Sequence, residues 1–377
     1  MSLLAELRRQ IRDENGVDVL DCDRSFTGDS LALGPAGMMA GMSWLIRPLS
    51  PQTYVEELLR LRSNRTRTVR KGARGDAYTV GLQQALDLWQ AAGKVDPLAS
   101  PILRYYAVTQ AAQAIAAASP LGNNDWKPGH SHGLTCKVVY PADDGRLDFS
   151  QVFVSPAGDG VAQTLAAALK SDMIPPDTPL ADLMASLWHR VYGFEEPITP
   201  VYPRRPMSVW VSPVEWGAGG VRVTVAADLK EAFDADSTRV QEFIDGYPGL
   251  ARCNNYSVAW HDHGEPWMQL EFPGSAVMGT VQAWLDECDV EVSRGIETSK
   301  VFLPGLGGGN ERIHPLLSWY VVLYAFSMLA RYHGRLWRGR LDLDNDTEAV
   351  DTRRLIDTQS VDAMCLVTHT LQGFLSP

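Results

Sequence analysis

Residues 316–330 read LLSWYVVLYAFSMLA, and 13 of these 15 positions are hydrophobic. A membrane span needs about 20 apolar residues. This run is shorter and is bounded by Arg312 and Arg331. It therefore reads as a core helix, apolar all round because other protein covers it on every side. A second such stretch, residues 99–118, carries Ile102, Tyr105, Tyr106, Val108, Ala112 and Ile115 at helical spacing. The simplest way for each to bury its face is against the other. The expected centre of the fold is this helix pair.

Working outward, a helix is expected from Thr53, with Thr53 and Glu56 as a capping box. Another spans 76–92, through Val80, Leu82, Leu86 and Trp89. Residues 134–140 (LTCKVVY) and 147–154 (LDFSQVFV) read as strands joined by the turn sequence PADDG, a hairpin. Helices follow at 160–170 and 179–192, the second capped by Thr178 with Pro179 in its first turn. Residues 196–206 are proline-rich and mark an edge. Beyond it come MSVWVSPVEW, GVRVTVAADL, YSVAWHD and PWMQLEFPG, which are strand-rich, with a helix near 237–245. Helices at 276–287, 315–331 and 353–374 complete the reading, and a short helix is expected at 3–12. The fold class is α+β, a mostly helical body with a strand-rich insertion. The expected parts are an N-terminal segment (1–50), a helical domain with a β-hairpin (51–195), a strand-rich α+β region (196–275), and a C-terminal helical region (276–377) packing on the first helical domain.

The chain has a net charge of −11, 45% hydrophobic and 21% charged residues. That composition supports a large core and argues against a protein that coats bare nucleic acid over a wide face. The first residues, MSLLAELRRQIRDENG, lack the unbroken apolar stretch of a signal peptide. Cys22, Cys136, Cys253, Cys288 and Cys365 are far apart and form no C-x-x-C, which fits free thiols in a cytoplasmic protein and excludes a zinc ribbon. No membrane partner is expected.

Several segments carry chemistry-bearing residues. Arg60 to Arg74 holds seven cations in fifteen residues and no acid. It reads as a solvated segment or as an anion-binding arm, with Arg65, Arg67, Arg70 and Lys71 as the candidates. Gly129-His130-Ser131-His132-Gly133 matches G-x-S-x-G, but a nucleophile elbow lies between a strand and a helix. Here a strand follows the serine, so Ser131 is not expected to be a nucleophile. The pairs His130/His132 and His261/His263 either sit in polar loops and hydrogen-bond locally or, if on a strand, put two imidazoles on one face able to hold a metal, with His130, His261 and His263 as candidates. The glycine-rich LPGLGGGN at 303–310 lacks the lysine and hydroxyl residue of a phosphate loop. Residues 342–348 (DLDNDTE) start like a calcium loop, but its glycine and closing glutamate are absent, leaving a solvated acidic loop. No cofactor is indicated by any of these, and no motif assigns a reaction. A metal-dependent or serine hydrolase using the H-x-H pairs or Ser131 is the alternative enzymatic reading. A structural subunit of a protein complex, with a protein partner, is the other.

Three segments together resemble the YaaC-like family of bacterial proteins. They are Pro101 to Ile115 (PILRYYAVTQAAQAI), similar to that family's helix starting PLLLYYG; the step His132-Gly133-Leu134; and Phe326-Ser-Met-Leu-Ala-Arg-Tyr332 followed by Trp337, similar to its LSML-RY-P-W signature. The proline of that signature is missing here, near Gly334-Arg335. The resemblance spans residues 101 to 337 and implies architecture more than activity. The Tyr105-Tyr106-Ala107 helix and His132-Gly133-Leu134 also look like HEPN domains, helical modules of bacterial toxins, abortive infection and RNA processing. That likeness implies an anionic partner, nucleic acid or a nucleotide, in a stress or phage-defence role. Active HEPN ribonucleases use an arginine and a histidine with four to six residues between them, and no histidine here has an arginine five to seven positions before it. Where the two apolar helices end, either Arg331 simply complements the helix dipole, or Tyr106, His132, Arg331 and Trp337 converge on one polar pocket with His132 and Arg331 as donors to an anionic ligand.

Overall fold

The structure is a computed structural model, and it describes residues 44–46, 50–63, 69, 72–120, 131–140, 146–187, 207–210, 220–224, 245–248, 257–262, 266–271, 290–294, 297–306 and 311–375. The chain divides into residues 1–40 and 41–377, and all described residues lie in the second unit. The helices expected at 3–12 and 276–287 fall outside the described residues, and so does nearly all of the one at 237–245.

The helical body is built around α3 (Ser100–Ala118) and α6 (Pro315–Tyr332). Both have proline in the first turn, where its missing N–H costs nothing. Around this pair lie α1 (Pro51–Ser63), α2 (Gly72–Ala92) and the long α8 (Ala349–Leu375). Trp319, Tyr320 and Phe326 of α6 and Tyr105 of α3 are fully buried. Removing each such side chain from water contributes about 1.5–3 kcal/mol. α2 lies unusually close to α3, because Gly81 has no side chain: a Cβ there would sit 2.8 Å from the Gln110 carbonyl oxygen. Tyr54 of α1 donates to Cys365 Sγ of α8 at 3.1 Å, tying the two ends of the body.

Two sheets accompany the helices. β2 (Leu134–Val138), β3 (Val152–Pro156) and β4 (Thr178–Pro179) form an antiparallel three-stranded sheet. Between β3 and β4 runs α4 (Val161–Leu169), and α5 (Leu180–Ala185) follows β4. The second sheet holds β1 (Trp44–Ile46), β5 (Met207–Trp210), β6 (Gly220–Thr224), β7 (Ser257–Asp262), β8 (Pro266–Glu271), β9 (Val290–Arg294) and β10 (Glu297–Phe302), in the order β1-β9-β10-β5-β6-β8-β7. Its described pairings are antiparallel except β1 with β9, which is parallel. The architecture is α+β, mostly helical.

Local details differ from the sequence expectations for identifiable reasons. The first helix is capped by Ser50, whose Oγ accepts from Thr53 N–H at 3.1 Å, so Thr53 lies inside the first turn. Thr178 does not cap α5; it pairs with Val154 as a strand residue and donates to the Pro175 carbonyl. A short helix not expected from sequence, α7 (Gly334–Arg340), follows α6 and buries Trp337 against Phe326, with ring centroids 5.2 Å apart. The acidic segment 342–348 is only partly solvated. Arg340 pairs with Asp346 at 3.4 Å and with Glu348, and lies 4.4 Å over the Phe149 ring, so Asp346 is buried.

Candidate functional site

Ser131 to Gly133 form a bend that leads into β2. Its carbonyls are fastened to the start of α4: Val161 N–H donates to the Ser131 oxygen at 2.9 Å, and Ala162 N–H to the His132 oxygen at 3.2 Å. Gln163 Nε2 and Ala157 N–H both donate to the Gly133 oxygen, at 2.8 and 3.0 Å. These bonds satisfy helix-start donors that would otherwise lack partners. The bend fits only because of its glycines. Gly133 has φ +76, and a Cβ on Gly160 would lie 2.6 Å from Ser131 Oγ. The backbone of His132 is thus locked between β2 and α4.

The side chain of His132 enters a tyrosine cluster. Tyr105 Oη lies 2.6 Å from His132 Nδ1 and 3.1 Å from Tyr320 Oη. Tyr320 Oη also donates to the His132 carbonyl at 3.3 Å, and Tyr324 Oη to the Leu134 carbonyl at 2.9 Å. The His132 ring stands edge-on to Tyr105 at 5.4 Å and tilted to Tyr324 at 5.6 Å. Burial, and secondarily the charge of Arg331, lowers the His132 pKa, so the imidazole is neutral near pH 7. Burial raises the Tyr105 pKa, drives Tyr320 far above the ordinary phenol value, and pushes Tyr324 up to about 12. These groups are therefore neutral phenols. A neutral imidazole that accepts from Tyr105 at Nδ1 carries its proton on Nε2. Tyr105 then donates to His132 and accepts from Tyr320, whose one hydroxyl proton is shared between Tyr105 Oη and the His132 carbonyl, and His132 presents Nε2–H beyond the cluster.

Arg331, in the last turn of α6, folds back over its own helix. Its Nε donates to the Ser327 carbonyl at 3.2 Å, and Nη2 to Ser327 Oγ at 3.3 Å. No carboxylate among the described residues lies within ion-pair distance of it. Its charge is close enough to act on His132, Tyr105 and Tyr324. Cys136 faces the same region, its thiol pushed up to about 11 by burial and so protonated at neutral pH.

The sequence-derived candidates are distributed as follows. Half-buried Tyr106 lies 5.5 Å, ring to ring, from Tyr105; His132 sits in the tyrosine cluster, and Arg331 acts on it through its charge. Trp337 is buried, and its indole N–H donates to the Leu98 carbonyl at 3.2 Å. Ser131 Oγ donates to the Asp159 carbonyl at 2.8 Å, while His132 Nδ1 is engaged by Tyr105. His261 lies on β7 opposite Trp267; His130 and His263 lie outside the described residues. Among the described residues, no three His, Cys, Asp or Glu side chains gather closely enough to hold a metal ion. Arg65, Arg67, Arg70 and Lys71 also lie outside the described residues. The described cations of that basic segment are engaged within the fold. Arg60 pairs with Glu57, Arg62 donates to the Thr79 carbonyl, and Arg74 donates to the Ala117 and Ser119 carbonyls at 2.8 and 2.5 Å, closing the end of α3. Sequence reasoning placed Tyr105 on the helix face but not in a site, and did not single out Tyr320 and Tyr324. Tyr320 and Tyr324 are four residues apart on one helix face, which is the signal that was available.

No helix among the described residues is long and apolar enough to cross a membrane. No curated protein and no solved structure matches the chain. The family model described as YaaC-like Protein matches residues 48–371, a span that contains α3, the His132-Gly133 bend, α6 and Trp337. By that match over most of its length, the chain belongs to the YaaC-like protein family.

Proposed function

We propose that this protein binds an anionic ligand on the surface shared by His132 and Arg331, without making or breaking a bond there. The observation that carries the reading is a pair of donors that face no anion among the described residues. His132 Nε2–H has no partner among the described residues, and Arg331 has no carboxylate against it. A phosphate or carboxylate reaching both would form charge-assisted hydrogen bonds, each contributing about 1.5–3 kcal/mol. Neutral phenols, a protonated thiol and a neutral imidazole offer no activated nucleophile. Tyr105 holds the His132 ring and Ser327 holds Arg331, so both donors are preorganised. A stress or phage-defence setting, implied by the HEPN likeness, is the cellular expectation that accompanies this reading.

The test is a titration with inorganic phosphate, followed by the NMR signals of the His132 ring. A bound anion favours imidazolium, so the His132 pKa is expected to rise on saturation. Arg331→Gln is expected to weaken phosphate binding at least roughly tenfold. An unshifted His132, or equal binding by R331Q, refutes the proposal.

A further inference from the structure

We infer that the exposed tyrosines beside this site, Tyr140 and Tyr332, form a stacking platform for single-stranded nucleic acid, whose phosphates the neighbouring cations take up. The inference rests on the anion-binding reading above and assigns a ligand class to it. Tyr140 is 62% exposed and Tyr332 65% exposed, unusual for side chains of this size in a chain with so large a core. Both are held in place. Tyr140 Oη lies 2.7 Å from His333 Nδ1, and the two rings are 5.6 Å apart. Arg331 stands 5.2 Å over the Tyr332 ring. The three residues Arg331, Tyr332 and His333 are consecutive at the end of α6, so the tyrosines and the anion site share one end of the helix.

Among the described residues, two cations flank the platform in the chain, Arg331 and Arg335. Arg331 and exposed Arg335 have no ion-pair partner among the described residues. Arg338 is left out of the platform because its charge acts on Asp342. Fixed, solvent-facing rings with interleaved cations match the chemistry that binds unpaired bases: a π-face for each base and a cation for each phosphate. A duplex hides its base faces and gains nothing from the rings. A protein partner would call for a continuous apolar patch, and here His333 and Arg331 interrupt the aromatic surface.

The experiment uses the full-length protein and a fluorescein-labelled single strand of about 12 nucleotides, within the usual site sizes for such binders. Anisotropy is read between about 50 and 200 mM salt. Binding to the single strand is expected to be tighter than to a duplex of the same sequence and to weaken with salt. Tyr140→Ala and Tyr332→Ala are each expected to weaken it roughly tenfold, while Tyr332→Phe, which keeps the ring, binds like the wild type. Equal affinity for duplex, no binding at low salt, equal affinity for a mononucleotide, or an unaffected Y140A/Y332A double variant overturns the inference. The phosphate response of His132, recorded in the same variants, separates the two proposals. If it persists while strand binding is absent, the platform alone fails. If it is absent while strand binding shows the tyrosine dependence, the anion site alone fails.

Discussion

Tyr105→Phe removes one oxygen atom and leaves the aromatic packing of α3 in place. That oxygen holds the bond to His132 Nδ1 at 2.6 Å and the contact with Tyr320 at 3.1 Å. With Tyr105 as the donor, the bond uses the Nδ1 lone pair that protonation would occupy, so this arrangement opposes protonation. A net hydrogen bond contributes about 0.5–1.5 kcal/mol, and one pKa unit corresponds to about 1.4 kcal/mol. Removing the bond is therefore expected to raise the His132 pKa back toward its ordinary value, on top of the lowering that burial and the Arg331 charge maintain. Tyr320 keeps a second acceptor, the His132 carbonyl, so its loss is smaller. The net cost in stability is expected at about 1–2 kcal/mol. Histidine ring signals followed by NMR against pH, with urea unfolding of the same samples, measure both quantities. A His132 pKa that falls or stays fixed in Y105F would show that Tyr105 does not donate to Nδ1, and the proton order argued for the chain would be wrong.

Gly81→Val is expected to cost about 1–3 kcal/mol, because its Cβ meets the backbone of α3 and the helices must separate; an unchanged melting temperature by calorimetry contradicts the close crossing. His314 caps α6, accepting from Leu316 N–H through Nδ1, and burial takes its pKa down to about 3. The unfolded chain then binds the extra proton below about pH 6.5. Stability from this group is complete above that pH and falls by about 1.4 kcal/mol per unit as the pH drops toward 3. Urea midpoints between pH 7 and 5 measure the slope, which His314→Asn, still able to cap, is expected to flatten; identical slopes argue against a buried neutral His314.

The helix pair at the centre was legible because it depends on local pattern. Periodic apolar residues and an early proline suffice to place α3 and α6 within a residue or two. What remained hidden depends on partners distant in sequence. Tyr105 and Tyr320 are 215 positions apart, and only packing brings their hydroxyls together. Arg74 looks like one more member of a basic run until the end of α3 is placed beside it. Asp346 looks solvated until Arg340 draws it into the interior. α7 escaped detection because Gly334 and Gly339 lower its intrinsic helix propensity, and burial of Trp337 overrides that. The strands β9 and β10 do show alternation in VEVSR and ETSKVF, a readable signal that the glycine-rich segment after them obscured.

The bond between Tyr54 and Cys365 joins residues 311 positions apart and closes α8 onto α1. During synthesis α1 and α3 emerge long before the helix that covers them. Until α8 arrives, their apolar faces have no native cover from it, and the loop that must close is nearly as long as the chain. Closing so long a loop is entropically costly and delays the final packing. The body therefore cannot reach its full packing until α8 is present, and before that those faces lack their native cover.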